Sequence, residues 1–546
     1  MINTTYIQPK TQYNNVASSV STQPKVTPNS DSKYTKSIYK DAGLIHTSWF
    51  YVNDVHGKMT RMERIYNICK EFDNTNLQEA FSDFFKQDRS LPRLLPVSKF
   101  KVESGDIFIG ANEKNNKVAS EFLRWCGFDA AIPGNHEFDV PDPENLGRLM
   151  SDANTKILAA NMKVKDDSPL KDKFVPSTII ERDGEKYGFI GISPSDIIER
   201  VKMNDSLASI EVADVETTIK IVQDEVRKLK EQGINKIILL SHSGLKNDKR
   251  IALETDGIDI IFGAHTHELI KGVKEGENLF YSKTGEPIVI TQAGKDGNHV
   301  GVLNVDFDNN GVIKKVQNNV IDTMIYNRPL QIKDSVEKII GKPEIVGRIR
   351  SAVPTPKNRL IEDNPHGNLI ADSMRIELGT DIGLLNAANI RGHFSEGIVD
   401  SRLVADITPF EDNMMVLDLT EKQIIDMIKV GLKSFKLNSH KPGIMLVSGM
   451  KYTCNKQGEL LDAEFIDKDN NVHKIDVNNP STTKHYTVAT DDFIATGGDH
   501  YLPTNPNPDY VLKTIFADKN KLACDYMKKF NEPIDIKYDG RITILD

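Results

Sequence analysis

The sequence predicts an α/β protein of two layered domains, and three features predict it. Short apolar, strand-like runs alternate with longer amphipathic, helix-like segments from Trp49 onward. Five polar clusters each follow and end one of those runs, the place where open α/β sheets carry their sites. The chain's 546 residues exceed what one hydrophobic core usually supports.

Residues 1–43 are rich in Asn, Ser, Thr, Gln and Lys with almost no apolar clustering, so a disordered polar tail is expected. The tail has no apolar run after a basic start and thus no recognisable secretory signal, and no stretch of about 18 apolar residues predicts a membrane span. On those grounds a cytoplasmic location is the default expectation. With 39% hydrophobic and 27% charged residues and a net charge of -9, the chain reads as globular. It has no basic footprint for a nucleic-acid polymer or an anionic membrane, so any phosphate site must be local. Cys69, Cys126, Cys454 and Cys524 lack metal-type spacing and are read as buried thiols.

Within 44–328, Phe50-Tyr51-Val52 leads into Asn53-Asp54-Val55-His56-Gly57, and Met59 to Phe72 has apolar residues at helical intervals. Thr75 to Pro96 reads as an inserted helix and loop, and Lys117 to Cys126 as a helix. Buried strands are expected at Ile157–Asn161, Tyr187–Ile192, Lys236–Leu240 and Ile258–Phe262, with a charged amphipathic helix from Val212 to Gln232. The clusters are Asp54-Val55-His56, Ser104-Gly105-Asp106, Gly134-Asn135-His136-Glu137-Phe138-Asp139, Ser241-His242-Ser243-Gly244 and Gly263-Ala264-His265-Thr266-His267.

The donor atoms decide the chemistry. Asp54, His56, Asp106, Asn135, His242, His265 and His267 offer carboxylate oxygen, amide oxygen and imidazole nitrogen but no thiolate. That mixture suits zinc, manganese, iron or cobalt. Seven ligands are too many for one tetrahedral ion but suffice for two if a carboxylate bridges, and two ions roughly 3.5–4 Å apart clamp an in-line displacement at phosphorus.

In motif order and internal spacing, Asp54-x-His56, Gly105-Asp106, Gly134-Asn135-His136-Glu137, His242 and Gly263-x-His265-x-His267 resemble the metallophosphoesterases, and more narrowly the 5′-nucleotidase family, over roughly residues 49–546. The resemblance implies a four-layer α/β/β/α sandwich followed by an α/β nucleotide-binding domain. It implies one ion on Asp54, His56, Asp106 and His267 and another on Asp106, Asn135, His242 and His265, with Asp106 as bridge. It makes His136 a group that stabilises the phosphoryl transition state and Asp139 the carboxylate that orients it, as the chemistry of an imidazole beside a carboxylate allows. Glu137 is read as an acceptor supporting a ligand.

Residues 329–353, charged and bounded by Pro329 and Pro354, are expected to form a helical linker, and 354–546 a second α/β domain. There Asn386-Ala387-Ala388-Asn389-Ile390-Arg391 stands where the family has an Asn-Gly-Gly-x-Ile-Arg loop, and Pro409-Phe410 and Asp491 to Asp499 match as well. By that match Asn386 belongs to the substrate loop, Phe410 and Phe493 sandwich a base, Asp499 takes ribose hydroxyls, and Arg391 and Arg359 hold phosphate. Asp412 stands two residues after Phe410, where relatives often carry Asn. The implied activity is hydrolysis of a nucleoside 5′-monophosphate; a 2′,3′-cyclic phosphodiesterase with 3′-nucleotidase activity, a UDP-sugar hydrolase and a silent nucleotide-binding protein stay open.

Overall fold

The computed structural model describes residues 44–74, 97–323, 325–326, 328–352, 355–410, 412–437, 442–505, 507–515 and 517–546. The expected polar tail and the Thr75 to Pro96 segment lie outside them.

Two six-stranded sheets build the first half. One runs in space Ile313–Asp322, His299–Asp308, Leu44–Val52, Ser98–Glu103, Ala130–Ala131 and Lys156–Ile157; the other runs Leu279–Tyr281, Pro287–Thr291, Ile260–Phe262, Ile237–Ser241, Glu185–Ile192 and Ser177–Arg182. The central strands of both are parallel. Parallel strands are covered on both faces and need apolar side chains throughout, which is why Ile237-Ile238-Leu239-Leu240 reads as an unbroken apolar run.

Trp49, Tyr51, Phe100, Tyr187, Phe189 and Phe262 fill the space between the sheets, with Trp49 stacked on Phe100 at 4.2 Å between ring centroids. Truncating one of these rings to Ala would cost about 3–5 kcal/mol. The outer face of the first sheet is covered by the Met59–Asn74, Glu113–Cys126 and Lys333–Ile340 helices, and that of the second by Val215–Glu231 and Leu245–Glu254. The result is the expected α/β/β/α sandwich.

Helix boundaries follow local chemistry. Asn112 accepts the Asn115 N–H and starts the Glu113–Cys126 helix, and Gly127 at φ 67 ends it. The helix expected from Val212 begins at Val215, because Asp214 caps it through the Thr217 N–H and Val212 closes the Ile210–Val212 strand. The strand expected at Ile157–Asn161 is limited to Lys156–Ile157. The linker is helical only over Lys333–Ile340: Gly341 leaves the helix at φ 87 and Pro343 follows. Ile345–Ile349 then pairs with Gly397–Asp400.

The second half holds a five-stranded mixed sheet in the order Met445–Ser448, Ile382–Asn386, His485–Asp491, Met414–Thr420, Val511–Ile515. The Pro365–Leu378 and Glu421–Leu432 helices pack on it, with Ile370, Met374, Ile424 and Ile428 in one core with Leu384, Leu417 and Val488. A four-stranded sheet, Val472–Ile475, Leu460–Ile466, Met450–Asn455, Ile542–Leu545, stands beside it. All four cysteines are buried thiols.

Candidate functional site

Five parallel strands end at one place. Leu44–Val52, Ser98–Glu103, Ala130–Ala131, Ile237–Ser241 and Ile260–Phe262 each run into the loop that carries one motif. Beyond the strand ends the loops stay stitched together, with the amides of Asp54, His56 and Gly57 donating to the carbonyls of Gly105, Asp106 and Ile107 at 3.0, 2.8 and 2.9 Å. Asp54, His56, Asp106, His265 and His267 all hold φ between 51° and 73°, a left-handed conformation costing a non-glycine residue about 1–3 kcal/mol. Such strain persists only where surrounding bonds over-determine it. Two glycines make room: a Cβ on Gly105 would lie 2.5 Å from His242 Nδ1, and one on Gly134 would lie 2.3 Å from Asp106 Oδ1.

The side chains converge. His267 Nε2 lies 3.4 Å from Asp54 Oδ1, His56 Nε2 3.4 Å and His242 Nε2 3.2 Å from the same Asp106 oxygen, Oδ2. Asp54, His56 and His267 form one group able to hold a cation, and Asp54, Asp106 and His242 another. Asp106 thus stands between two histidines, as a bridging carboxylate would. The fit to a metal is carried by three buried atoms without a hydrogen-bond partner: His56 Nε2, His242 Nε2 and Asn135 Oδ1. Buried polar atoms without a partner are costly, and bound cations would satisfy them. The His242 Nδ1–H donates to the Ser104 carbonyl at 2.7 Å, leaving Nε2 as the free ligand atom.

The field points the same way. Burial opposes ionisation of Asp106, but His242 and His136 outweigh it and hold the carboxyl well below the usual range. Burial likewise opposes Asp54, and His267 and His242 hold it at about 2. Burial disfavours a charged His242, yet Asp106 and Asp54 push it up to about 10. Without an ion, a protonated histidine supplies the positive charge that two facing carboxylates require.

His265 departs from the group. Its ring centroid is 5.1 Å from that of His242, but its Nε2 faces Asp196, 3.3 Å from Oδ1. Asp196 is in turn held by Arg200 at 2.7 Å.

The catalytic pair expected from the motif sits on a one-turn 3-10 helix, His136–Asp139, whose three-residue period stacks the two side chains. The His136 Nδ1–H donates to Asp139 Oδ2 at 2.6 Å, and the same oxygen accepts the Gly110 N–H at 2.9 Å. His136 also shares a candidate cation-holding group with His56 and Asp106. Glu137 is more than an acceptor beside one ligand: it takes the N–H groups of Asp106, Ile107, Phe108 and Gly134 at 2.7 to 3.0 Å and so ties the second and third motif loops together.

From the second domain, Arg391 and Arg359 both donate to the Ala388 carbonyl, at 2.9 and 3.0 Å. Burial first, then the neighbouring Arg391 charge, lower Arg359 to about 9. The Arg391 guanidinium lies 5.2 Å above the Phe410 ring, whose centroid is 6.2 Å from that of His136. Residues more than 250 positions apart in sequence are thereby adjacent. Phe493 is half-buried against Gly498, and Asp499 sits at φ 51 on a short 3-10 turn. Asn386 is buried at the end of its strand and donates to the Pro442 carbonyl at 3.4 Å, so it faces the domain interior. Asp412 pairs with the buried Lys519 at 3.1 Å, and Lys519 reaches Asp491 at 3.3 Å.

Asp296, Asp196, Lys58 and Lys295 escaped the sequence reading. Asp296 accepts from His56 Nδ1 at 3.0 Å, and Lys58 donates to the Asp406 carbonyl across the two halves. Lys295-Asp296 follows the Pro287–Thr291 strand as the motif loops follow theirs, and that position was the available signal.

Both halves of the chain match known families. Residues 50–269 match the calcineurin-like phosphoesterase family and residues 345–504 the 5′-nucleotidase C-terminal domain. The chain is 27% identical over 560 aligned residues to the trifunctional nucleotide phosphoesterase protein YfkN of Bacillus subtilis, covering 92% of this chain but 35% of that one. It is 27% identical to a 5′-nucleotidase-related protein of Glossina morsitans morsitans, covering 82% and 85%. A 5′-nucleotidase precursor from Thermus thermophilus shares the fold at a TM-score of 0.70 and 20% identity, covering 92% of this chain and all of that one. With a phosphoesterase domain followed by a 5′-nucleotidase C-terminal domain, the chain belongs to the 5′-nucleotidase family of metallophosphoesterases.

Proposed function

We propose that the chain hydrolyses nucleoside 5′-monophosphates to nucleoside and phosphate with two divalent ions, zinc, manganese, cobalt or iron. Asp54, His56, Asp106 and His267 would hold one and Asp106, Asn135 and His242 the other, with His265 joining them through Nδ1, the ring nitrogen that does not face Asp196. Bound there, such ions neutralise phosphoryl charge and lower the pKa of water. The observation that carries the reading is the approach of Phe410 and Arg391 to His136, which puts a base-stacking ring and a phosphate-type cation beside the reactive imidazole.

The residues divide the work. Asp139 occupies His136 Nδ1, which leaves Nε2 to donate to a phosphoryl oxygen or a leaving alkoxide. Arg359 and Arg391, half-buried and close enough to feel each other's charge, lose mutual repulsion when a phosphate dianion sits between them. Phe410 and Phe493 stack the base, a contact worth about 1–3 kcal/mol that tolerates any base.

A broader nucleotide phosphoesterase is the second reading, favoured by the likeness to a trifunctional nucleotide phosphoesterase over 92% of this chain. Phosphate release from 5′-AMP, 3′-AMP, 2′,3′-cyclic AMP and UDP-glucose, with manganese or zinc added, separates them. Preference for 5′-AMP supports the first; comparable rates on several esters support the second. No hydrolysis with any ion would leave a nucleotide-binding protein.

A further inference from the structure

Asp296 is an anion placed among groups that should attract phosphate. Arg391, Arg359, Lys58 and Lys295 all feel its charge, and it lies 4.0 Å from Lys295. A carboxylate there repels an anionic substrate and weakens the field the cations create. Its presence calls for a compensating task.

The hydrogen bonds supply one. Asp296 Oδ1 accepts the His56 Nδ1–H at 3.0 Å, which fixes the tautomer that leaves His56 Nε2 free, and that Nε2 is one of the buried atoms without a partner. The Asp296 N–H donates to the Asp54 carbonyl at 2.6 Å, and Asp296 itself is held at φ 57. Asn53 clamps the same two loops: its side chain accepts the Ala293 N–H at 2.8 Å and donates to the Gly294 carbonyl at 2.8 Å and to Asp54 Oδ2 at 2.7 Å. Gly297, next in the chain, has no room for a side chain, since a Cβ there would stand 2.8 Å from Arg61 Cβ. The 293–297 loop is therefore built to one shape against Asp54 and His56.

We propose that Asp296 is a positioning residue for the first ion: its carboxylate orients His56, holds the Nε2 lone pair toward the cation and raises that nitrogen's basicity. The second ion's ligands are supported by other groups: His242 Nδ1 donates to a neutral carbonyl, that of Ser104, and the carboxylate facing His265 Nε2 is Asp196, so neither leans on Asp296. Loss of the Asp296 carboxylate should thus weaken one ion and leave the other. The inference rests on His56 being a ligand, as proposed above.

The test titrates the full chain, stripped with chelator, with manganese or zinc alone by calorimetry. Asp296→Ala should weaken one of two binding steps by about 10–100-fold, the range for removing such a support. Asp296→Asn keeps an acceptor for the His56 N–H but not the charge, and should weaken the same step by less than Asp296→Ala does. The Asn variant should also show an unchanged or lower KM for an anionic ester, since a repelling charge is gone. His56→Ala is the control: if it loses one ion while Asp296→Ala loses none, the Asp296 inference fails alone. If His56→Ala binds both ions normally, the ligand reading fails. Equal weakening of both steps in Asp296→Ala would make the residue a general structural support and overturn the proposal. Circular dichroism and melting of each variant exclude misfolding as the cause.

Discussion

The groups that would hold metal and those that would hold nucleotide are built in opposite ways. In the first domain Asp54 and His242 are completely buried and His56 is 1% exposed, and five of the seven expected ligands sit in left-handed backbone held by bonds between loops. In the second domain Arg391, Phe410, Phe493 and Asp499 are only half-buried. The second domain meets the first through scattered contacts, among them Thr60 to Asp406 at 2.8 Å and Arg402 to Glu63 at 3.3 Å. Chemistry at phosphorus needs groups set in advance within fractions of an ångström. Recognition of a planar base gains from surfaces that can be approached and left.

Breaking the preset side should have the largest effect. Asp106→Asn removes the charge between His56 and His242, and metal analysis should find both ions lost and turnover with them; two ions per chain in that variant would show that Asp106 does not bridge. His136→Ala should come next, lowering kcat by about 10²–10⁴-fold with metal content intact. Metal loss in that variant would instead make His136 a ligand, the alternative that its closeness to His56 and Asp106 offers.

The preset side also carries a pH signature. His242 in the metal-free protein is raised from 6.5 to about 10, so the stability it contributes is full below about pH 6.5 and is lost as pH rises toward 10. Melting temperature of chelator-treated protein should fall across that window, and saturating metal should remove the fall. A flat profile without metal would mean that Asp54 and Asp106 find another counter-charge.

The adaptable side should respond least and most selectively. Phe410→Ala forfeits about 1–3 kcal/mol of stacking, which raises KM for nucleotides by roughly 5–150-fold and leaves p-nitrophenyl phosphate unchanged. Equal losses on both esters would show that the second domain positions the catalytic residues and does not read the base.

The sequence by itself determined the layered α/β build, because buried parallel strands demand apolar runs, and the types of donor atom on offer, because each motif follows the end of a strand. Asp54, His56, Asp106 and His242 were legible for that reason: short-range spacing within a loop fixes which atoms it can present. The second domain's Arg391 and Phe410 were legible only by family resemblance, since a lone arginine or phenylalanine has no local pattern. Tertiary structure alone decided the rest. Asp296 meets His56 across 240 positions, Phe410 approaches His136 from another domain, His265 turns to Asp196, and Asn386 faces inward. Each of those outcomes depends on how loops distant in the chain pack against one another, and helical or strand periodicity carries no information about such contacts.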